Sequence, residues 1–360
     1  MDRSHQQQTD PMPTDPASGD ASPLPSPEAS GAAPRESRTA FLTGGTGFVG
    51  SHVAEELIRR GWRVRALVRS APKWLDGLDV EAVRGDLSDL HTLTEAAGGA
   101  DVVIHAAALT RAPTLDALRE ANVEGTLRLL DAAATAEDPP GRVVVVSSLA
   151  AVGPSGSRPL TEDAPLKPIS NYGRSKAEME ERIAAHPLAG RVTIVRPPAV
   201  YGPREADIYT VIKTAARQRL FPIVGDPNAR VLDLVYVRDL ARGIVDAALS
   251  PEAGGETLFL GGATHSWAEI HRAVTGALGR GALKVKVSPR VVAPIGAVAE
   301  GVGKLFGAYP PLNREKAREA REAWVASSEK ARRAFGYAPA TPLDEGMREA
   351  VAWYRAHGWL

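Results

Sequence analysis

The segment Thr43-Gly44-Gly45-Thr46-Gly47-Phe48-Val49-Gly50 joins an apolar run, Thr39 to Thr43, to a helical pattern, and this restricts the chain to few folds. Glycines there let the backbone turn tightly, approach a pyrophosphate and pack helix against strand, while free N–H groups at the helix start meet phosphate charge. Gly44, Gly47 and Gly50 recur every third residue, a departure from the familiar GxGxxG spacing. No Gly-Lys-Ser/Thr follows, so a triphosphatase loop is excluded. Val49, Val53, Leu57 and Ile58 then share one stripe of a helix that Gly61 stops. Gly44, Gly47, Phe48, Val49 and Gly50 are therefore candidate cofactor-binding residues.

From Thr39 onward apolar strand-like runs alternate with amphipathic helices, which predicts an α/β fold: a Rossmann-type doubly wound parallel sheet. Strands are expected at Thr39 to Thr43, Arg63 to Val68, Val80 to Val83, Asp101 to His105, Arg142 to Ser147 and Arg191 to Arg196. Beyond Pro197 the alternation loosens into helices and short strands at Leu232 to Tyr236, Thr257 to Leu260 and Leu283 to Val287. The expected organisation is a Pro/Ser-rich disordered tail over 1–38, a dinucleotide-binding core over 39–196 and, over 197–360, mainly a smaller substrate-binding lobe. The apolar stretch Val291 to Phe306 is shorter than a bilayer requires and carries Glu300 and Lys304, so it reads as a pocket-lining helix.

Lysine plus arginine number 43 and aspartate plus glutamate number 43, so no overall field draws the chain to nucleic acid or anionic lipid. The expected partner is a small molecule, with no nucleic acid and no stable membrane insertion; a homodimer stays open. The absence of cysteine excludes disulfides, thiolate metal sites and a cysteine nucleophile, and with no readable signal peptide it points to the cytoplasm. His52, His91, His186 and His265 show no metal spacing, so no metal site is expected.

An NAD site would carry a carboxylate at the end of the second strand, where Arg69-Ser70 stands instead. An arginine and a hydroxyl suit a 2′-phosphate, favouring NADP over NAD. The segments Gly85-Asp86-Leu87, Ile104-His105-Ala106-Ala107 and Asn122-Val123-Glu124-Gly125-Thr126 follow, and then Tyr172-Gly173-Arg174-Ser175-Lys176. With Arg196-Pro197-Pro198-Ala199-Val200-Tyr201-Gly202-Pro203 and Tyr236-Val237-Arg238-Asp239-Leu240, the chain from Thr39 onward resembles the extended short-chain dehydrogenase/reductases of the NAD-dependent epimerase/dehydratase family. The resemblance implies cofactor contacts at Asp86, Leu87, Ala106, Ala107 and Pro197, with Asp86 on adenine. It also implies that Ser148 joins Tyr172 and Lys176 in catalysis.

A Tyr and a Lys four apart share one helix face and meet one substrate. The lysine ammonium is expected to bring the phenol from its ordinary value of about 10 toward neutrality, which requires about 4 kcal/mol. Tyr172 then exchanges a proton with a substrate oxygen that Ser148 also binds. His105 is read as structural, and Asn122 as tying backbone near the site.

Dehydratases of the family place an Asp-Glu pair after the catalytic hydroxyl, but Leu149 and Ala150 follow Ser148, which disfavours dehydration. Many nucleotide-sugar members carry an arginine four residues before the Tyr-Val segment, and here Leu232 takes that place, with Arg204, Arg230 or Arg238 as candidate replacements. The stretches after Pro289 and from Pro311 to Lys316 resemble 3β-hydroxysteroid dehydrogenase and dihydroflavonol reductase relatives. The leading expectation is NAD(P)-dependent redox chemistry on an apolar or polycyclic secondary alcohol or ketone. The alternatives are nucleotide-sugar epimerisation and a non-catalytic NADP-sensing regulator.

Overall fold

The computed structural model describes residues 38–228, 231–288, 294 and 314–360. The expected tail apart from Arg38, the stretch Val291 to Phe306 apart from Pro294, and Arg230 lie outside the described residues.

Six strands occur within two residues of their expected limits: β1 (Thr39–Thr43), β2 (Arg63–Val68), β3 (Glu81–Arg84), β4 (Val102–His105), β5 (Arg142–Val146) and β6 (Val192–Arg196). A later strand, β10 (Thr257–Phe259), completes a seven-stranded sheet of order β10-β6-β5-β4-β1-β2-β3. All six pairings are parallel. Because successive strand residues point to opposite faces, Leu42, Ile104, Val144 and Val195 enter one core and Phe41, Val103, Val143 and Ile194 the other. The first core is closed by α1 (Phe48–Arg59) and α7 (Val237–Leu249), through Val53, Leu57, Leu240 and Ile244. The second is closed by α2 (Leu90–Ala97), α4 (Gly125–Thr135) and α5 (Asn171–Ala184), through Leu93, Leu129, Leu130, Met179 and Ile183. The order reverses between β1 and β4, so the chain leaves these neighbours in opposite directions and opens a crevice at their C-terminal ends.

Residues after Pro197 build a separate apolar cluster around Tyr201, Phe221, Ile270, Met347 and Tyr354. Its strands are β7 (Ala199–Tyr201), β9 (Val231–Tyr236) and β11 (Ala263–Ser266) in one sheet, and β8 (Leu220–Val224) with β12 (Leu283–Val287) in another. The chain nonetheless returns to the first sheet and its core more than once. β10 pairs with β6, and α7 meets α1, where Arg60 Nη1 lies 2.7 Å from Asp246 Oδ1. No helix among the described residues is long and apolar enough to cross a membrane.

Candidate active site

At the sheet's crevice the turn after β1 has the shape its glycines imply. Gly44 adopts φ +77°, and a Cβ on it would lie 2.4 Å from the backbone N of Ala107, so the turn rests directly on the chain leaving β4. A Cβ on Gly50 would lie 2.2 Å from the Gly44 carbonyl oxygen, so the helix start is equally close. Gly47 caps α1 without any side-chain hydrogen bond, leaving the first-turn amides free of such a partner. Helix-start amides that no side chain caps, behind a tight glycine turn, fit a pyrophosphate. Phe48 and Val49 open the helix beside it, and Ala106, whose N–H donates to the Thr43 carbonyl at 3.0 Å, forms the opposite wall with Ala107.

Arg69 and Ser70 are exposed just past β2. Asp86 follows β3, and its carboxyl is held below the usual range by hydrogen bonds from the Ser88 hydroxyl and amide, with smaller help from the cations of Arg69 and Arg128. Leu87 packs on the second core. Pro197 is buried and its carbonyl accepts from Leu149 N–H at 2.9 Å, just past Ser148.

Ser148 lies two residues past β5 and caps the start of a short 3-10 turn, accepting from Ala150 N–H at 3.1 Å. α5 begins at a Ser170 cap and sits tightly against that turn: a Cβ on Gly173 would lie 2.3 Å from the Ala150 carbonyl oxygen. This close approach brings the Tyr172 phenol within hydrogen-bonding reach of the Ser148 hydroxyl. Lys176, one turn on, is 1 % exposed, and its Nζ donates to the Val146 carbonyl at 2.9 Å. Ser148, Tyr172 and Lys176 thus converge at the end of β5.

Their electrostatics differ from the expected arrangement. Burial pushes the Tyr172 phenol up to about 12, opposed by the Ser148 hydrogen bond and reinforced by the Glu319 carboxylate. Burial pulls Lys176 down to about 8. The phenol is therefore not brought toward neutrality: desolvation disfavours the phenolate, and the lysine nitrogen is turned toward the Val146 carbonyl. In this form Tyr172 is a neutral O–H donor.

Two residues read as supports have identifiable partners. The Thr126 hydroxyl donates to the Asn122 carbonyl at 2.6 Å, so it accepts from His105 Nε2–H at 2.9 Å; His105 Nδ1 then accepts from the Thr43 hydroxyl at 2.6 Å. Burial and the Lys176 charge pull this imidazole down to about 3, so it stays neutral and serves as a cross-link, not a base. Asn122 lies in a π-turn, Glu120–Glu124, that interrupts the helical run between α3 (Leu115–Arg119) and α4. Its Oδ1 accepts from Leu109 N–H at 2.8 Å, while Nδ2 donates to the Leu109 carbonyl at 2.9 Å and to Ser175 Oγ at 3.0 Å. It ties the loop after β4 to the helix of Tyr172.

Tyr172 borders a cleft whose other walls include Arg111, Ala112, Leu118, Ser170, Glu315, Lys316 and Glu319. Sequence patterning did not single out Arg111 or Glu319. The first pairs with Asp207, and the second with Lys316 at 2.8 Å. Among the described residues the apolar part of this wall is Ala112 and Leu118, since the stretch expected to line it is not described. Leu232 is half-buried in the second lobe's apolar cluster and bridges to Trp324. Both described candidates to replace the missing arginine already hold carboxylates: Arg204 pairs with Glu55, and Arg238 lies 2.8 Å from Glu349.

A family model, the NAD dependent epimerase/dehydratase family, matches residues 40–261. A ceramide reductase of Caulobacter vibrioides is 34 % identical over 325 residues, covering 89 % of this chain and 95 % of that protein. Sterol demethylase protein B of Methylococcus capsulatus is 30 % identical over 335 residues, covering 89 % of this chain and 100 % of that protein. Among solved structures, MoeE5 in complex with UDP-glucuronic acid and NAD superposes with a TM-score of 0.70 at 25 % identity, covering 89 % of this chain and 99 % of its own.

Proposed function

The chain belongs to the NAD-dependent epimerase/dehydratase family, and from that premise we propose that it reduces a ketone on an apolar or polycyclic substrate, or oxidises the matching secondary alcohol. It is an enzyme of the extended short-chain dehydrogenase/reductase type, NAD(P)-dependent like its family. The observation that carries the proposal is the convergence of Ser148, Tyr172 and Lys176 just past the end of β5. A bound nicotinamide would supply the hydride chemistry at the substrate carbon. Ser148 and Tyr172 hold the substrate oxygen; in reduction Tyr172 delivers its proton there as the C=O bond becomes C–O–H. A neutral phenol is still more acidic than an ordinary alcohol, so it can give up this proton to the substrate oxygen. Oxidation needs the phenolate, which burial disfavours in the ligand-free form.

The apolar substrate class is supported by the names of the ceramide and sterol relatives and by Leu232 where a phosphate-binding arginine is expected. Nucleotide-sugar epimerisation is the second reading, favoured by the UDP-sugar bound in MoeE5 and by Arg111 and Lys316 in the cleft. Those two cations are already paired, so a diphosphate would have to displace Asp207 and Glu319. Purified protein offered ceramide-like and steroid-like ketones beside UDP-sugars should show cofactor turnover on the first group. Epimerisation of UDP-sugars with no net cofactor turnover would promote the second reading.

Residues over 197–360 are taken to supply most of the substrate pocket, and the cytoplasm to be the compartment, with a homodimer left open. The glycine turn, Asp86, Leu87, Ala106, Ala107 and Pro197 would hold the cofactor, with Tyr172 and Lys176 near its nicotinamide end. NADP is the favoured form because Arg69 and Ser70 occupy the position of an NAD-selecting carboxylate. Arg69→Asp should remove a charge-assisted contact and add repulsion, moving the NADP/NAD affinity ratio toward NAD by about tenfold or more. Tighter binding of NADH by wild type, with no change on substitution, would reject NADP.

A further inference from the structure

One helical turn past Lys176, a carboxylate is sealed inside the protein. Glu180 is 4 % exposed, and its Oε1 accepts from the Ser147 hydroxyl, the residue immediately before Ser148. Arg196 Nε at the end of β6 donates to both carboxylate oxygens, at 3.1 and 3.0 Å. Arg196 is itself 5 % exposed, with Cζ 5.5 Å from the Phe259 ring centroid on β10 and Nη1 donating to the Glu162 carbonyl at 3.5 Å. Three elements that meet at the catalytic end of the sheet are joined through one side chain: β5 by Ser147, α5 by Glu180 itself, and β6 by Arg196.

We propose that Glu180 is a positioning residue of the proton relay, fixing β5 against α5 so that Ser148 meets Tyr172 and supplying the negative charge that keeps the neighbouring Lys176 an ammonium. The inference rests on the catalytic reading above. A buried ion pair is by itself weak evidence of stabilisation, because desolvation offsets much of the attraction. Four residues along a helix, however, place Glu180 and Lys176 on the same face. Among the described residues, the charged or titratable groups that interact with Lys176 are Glu180 on its own helix and His105 at the end of β4; Tyr172 lies one turn back on the same helix, and Arg196 on β6 pairs with Glu180. His105 is neutral, and Tyr172 is neutral in the resting form. Against the burial that pulls Lys176 down, Glu180 is the charge that acts upward.

The test follows Lys176 directly. In ligand-free protein with isotope-labelled lysine side chains, its NMR resonance is the one lost in Lys176→Arg. In Glu180→Gln its titration midpoint should move to lower pH by about one unit or more. The alkaline limb of kcat on a ketone substrate should move the same way, because the ammonium is lost sooner as pH rises. Glu180→Gln leaves Arg196 buried without its partner, so the fold itself is at risk. The double variant Glu180→Leu with Arg196→Met replaces the pair by apolar side chains and should fold; because it removes a cation with the anion, its reference is Arg196→Met alone, against which its Lys176 midpoint should be lower. Equal Lys176 midpoints in those two folded variants would overturn the proposal. If wild type turned over no ketone or alcohol, the catalytic reading would fail, while the NMR midpoint would still decide whether Glu180 governs Lys176.

Discussion

Tyr172→Phe should lower kcat by about 100- to 10,000-fold, the range expected for loss of a general acid, while cofactor affinity changes by no more than about twofold. The substitution removes only the oxygen that gives the proton. The helix keeps its place because its contacts to the rest of the site are made elsewhere: Gly173 against Ala150, the Ser170 cap, and Asn122 on Ser175. Binding measured by cofactor fluorescence and turnover on the same ketone would separate the two effects. Near-normal turnover in a well-folded Tyr172→Phe protein would remove Tyr172 from the chemistry.

The second large effect concerns the turn. Gly50→Ala places a methyl carbon 2.2 Å from the Gly44 carbonyl oxygen, where no Cβ fits, and the obstacle is backbone. Either the turn or the first turn of α1 must shift. Gly44 in turn has no room to yield, because a group on it would meet the backbone of Ala106 and Ala107. Cofactor affinity should fall by at least about tenfold, equivalent to about 1.4 kcal/mol or more, and the thermal midpoint should fall with it. Fluorescence titration and a melting curve report the two. Unchanged cofactor affinity would mean that this turn is not the cradle.

The main sheet was legible because β1, β4, β5 and β6 are short, largely buried apolar runs, and β1 feeds the glycine turn that marks the start of such a sheet; β3, Glu-Ala-Val-Arg at the sheet edge, is mostly exposed. β7, β8 and β11 were not legible. β7 is only three residues long, Pro222 interrupts β8, and β11 reads Ala-Thr-His-Ser, with no apolar alternation. Spacing alone placed Tyr172 and Lys176 on one face, and the structure brings them to Ser148. Spacing carries no measure of dryness, however, so the downward shift expected of the phenol was reversed by burial. Glu180 was within reach of the same reasoning, four residues beyond Lys176, but a glutamate on a charged-looking helix reads as solvated until Arg196 is found facing it. Arg111 and Glu319 come to the cleft from loops and helices far apart in sequence, and no local pattern announces them.

The return of β10 to the edge of the main sheet limits how the enzyme can be recombined with its relatives. A chimera made by one crossover after Pro197 would receive its β10 and its α7 from the donor. Donor side chains would then meet the host at Ile194, Val195 and Arg196 on β6, and at Arg60 on α1. The seam of such a hybrid runs through the buried interior, not along a linker. A viable transplant of substrate preference therefore needs several crossovers, which keep residues 237–260 and the core-packing stretch 329–337 with the host sheet and exchange the segments between and around them.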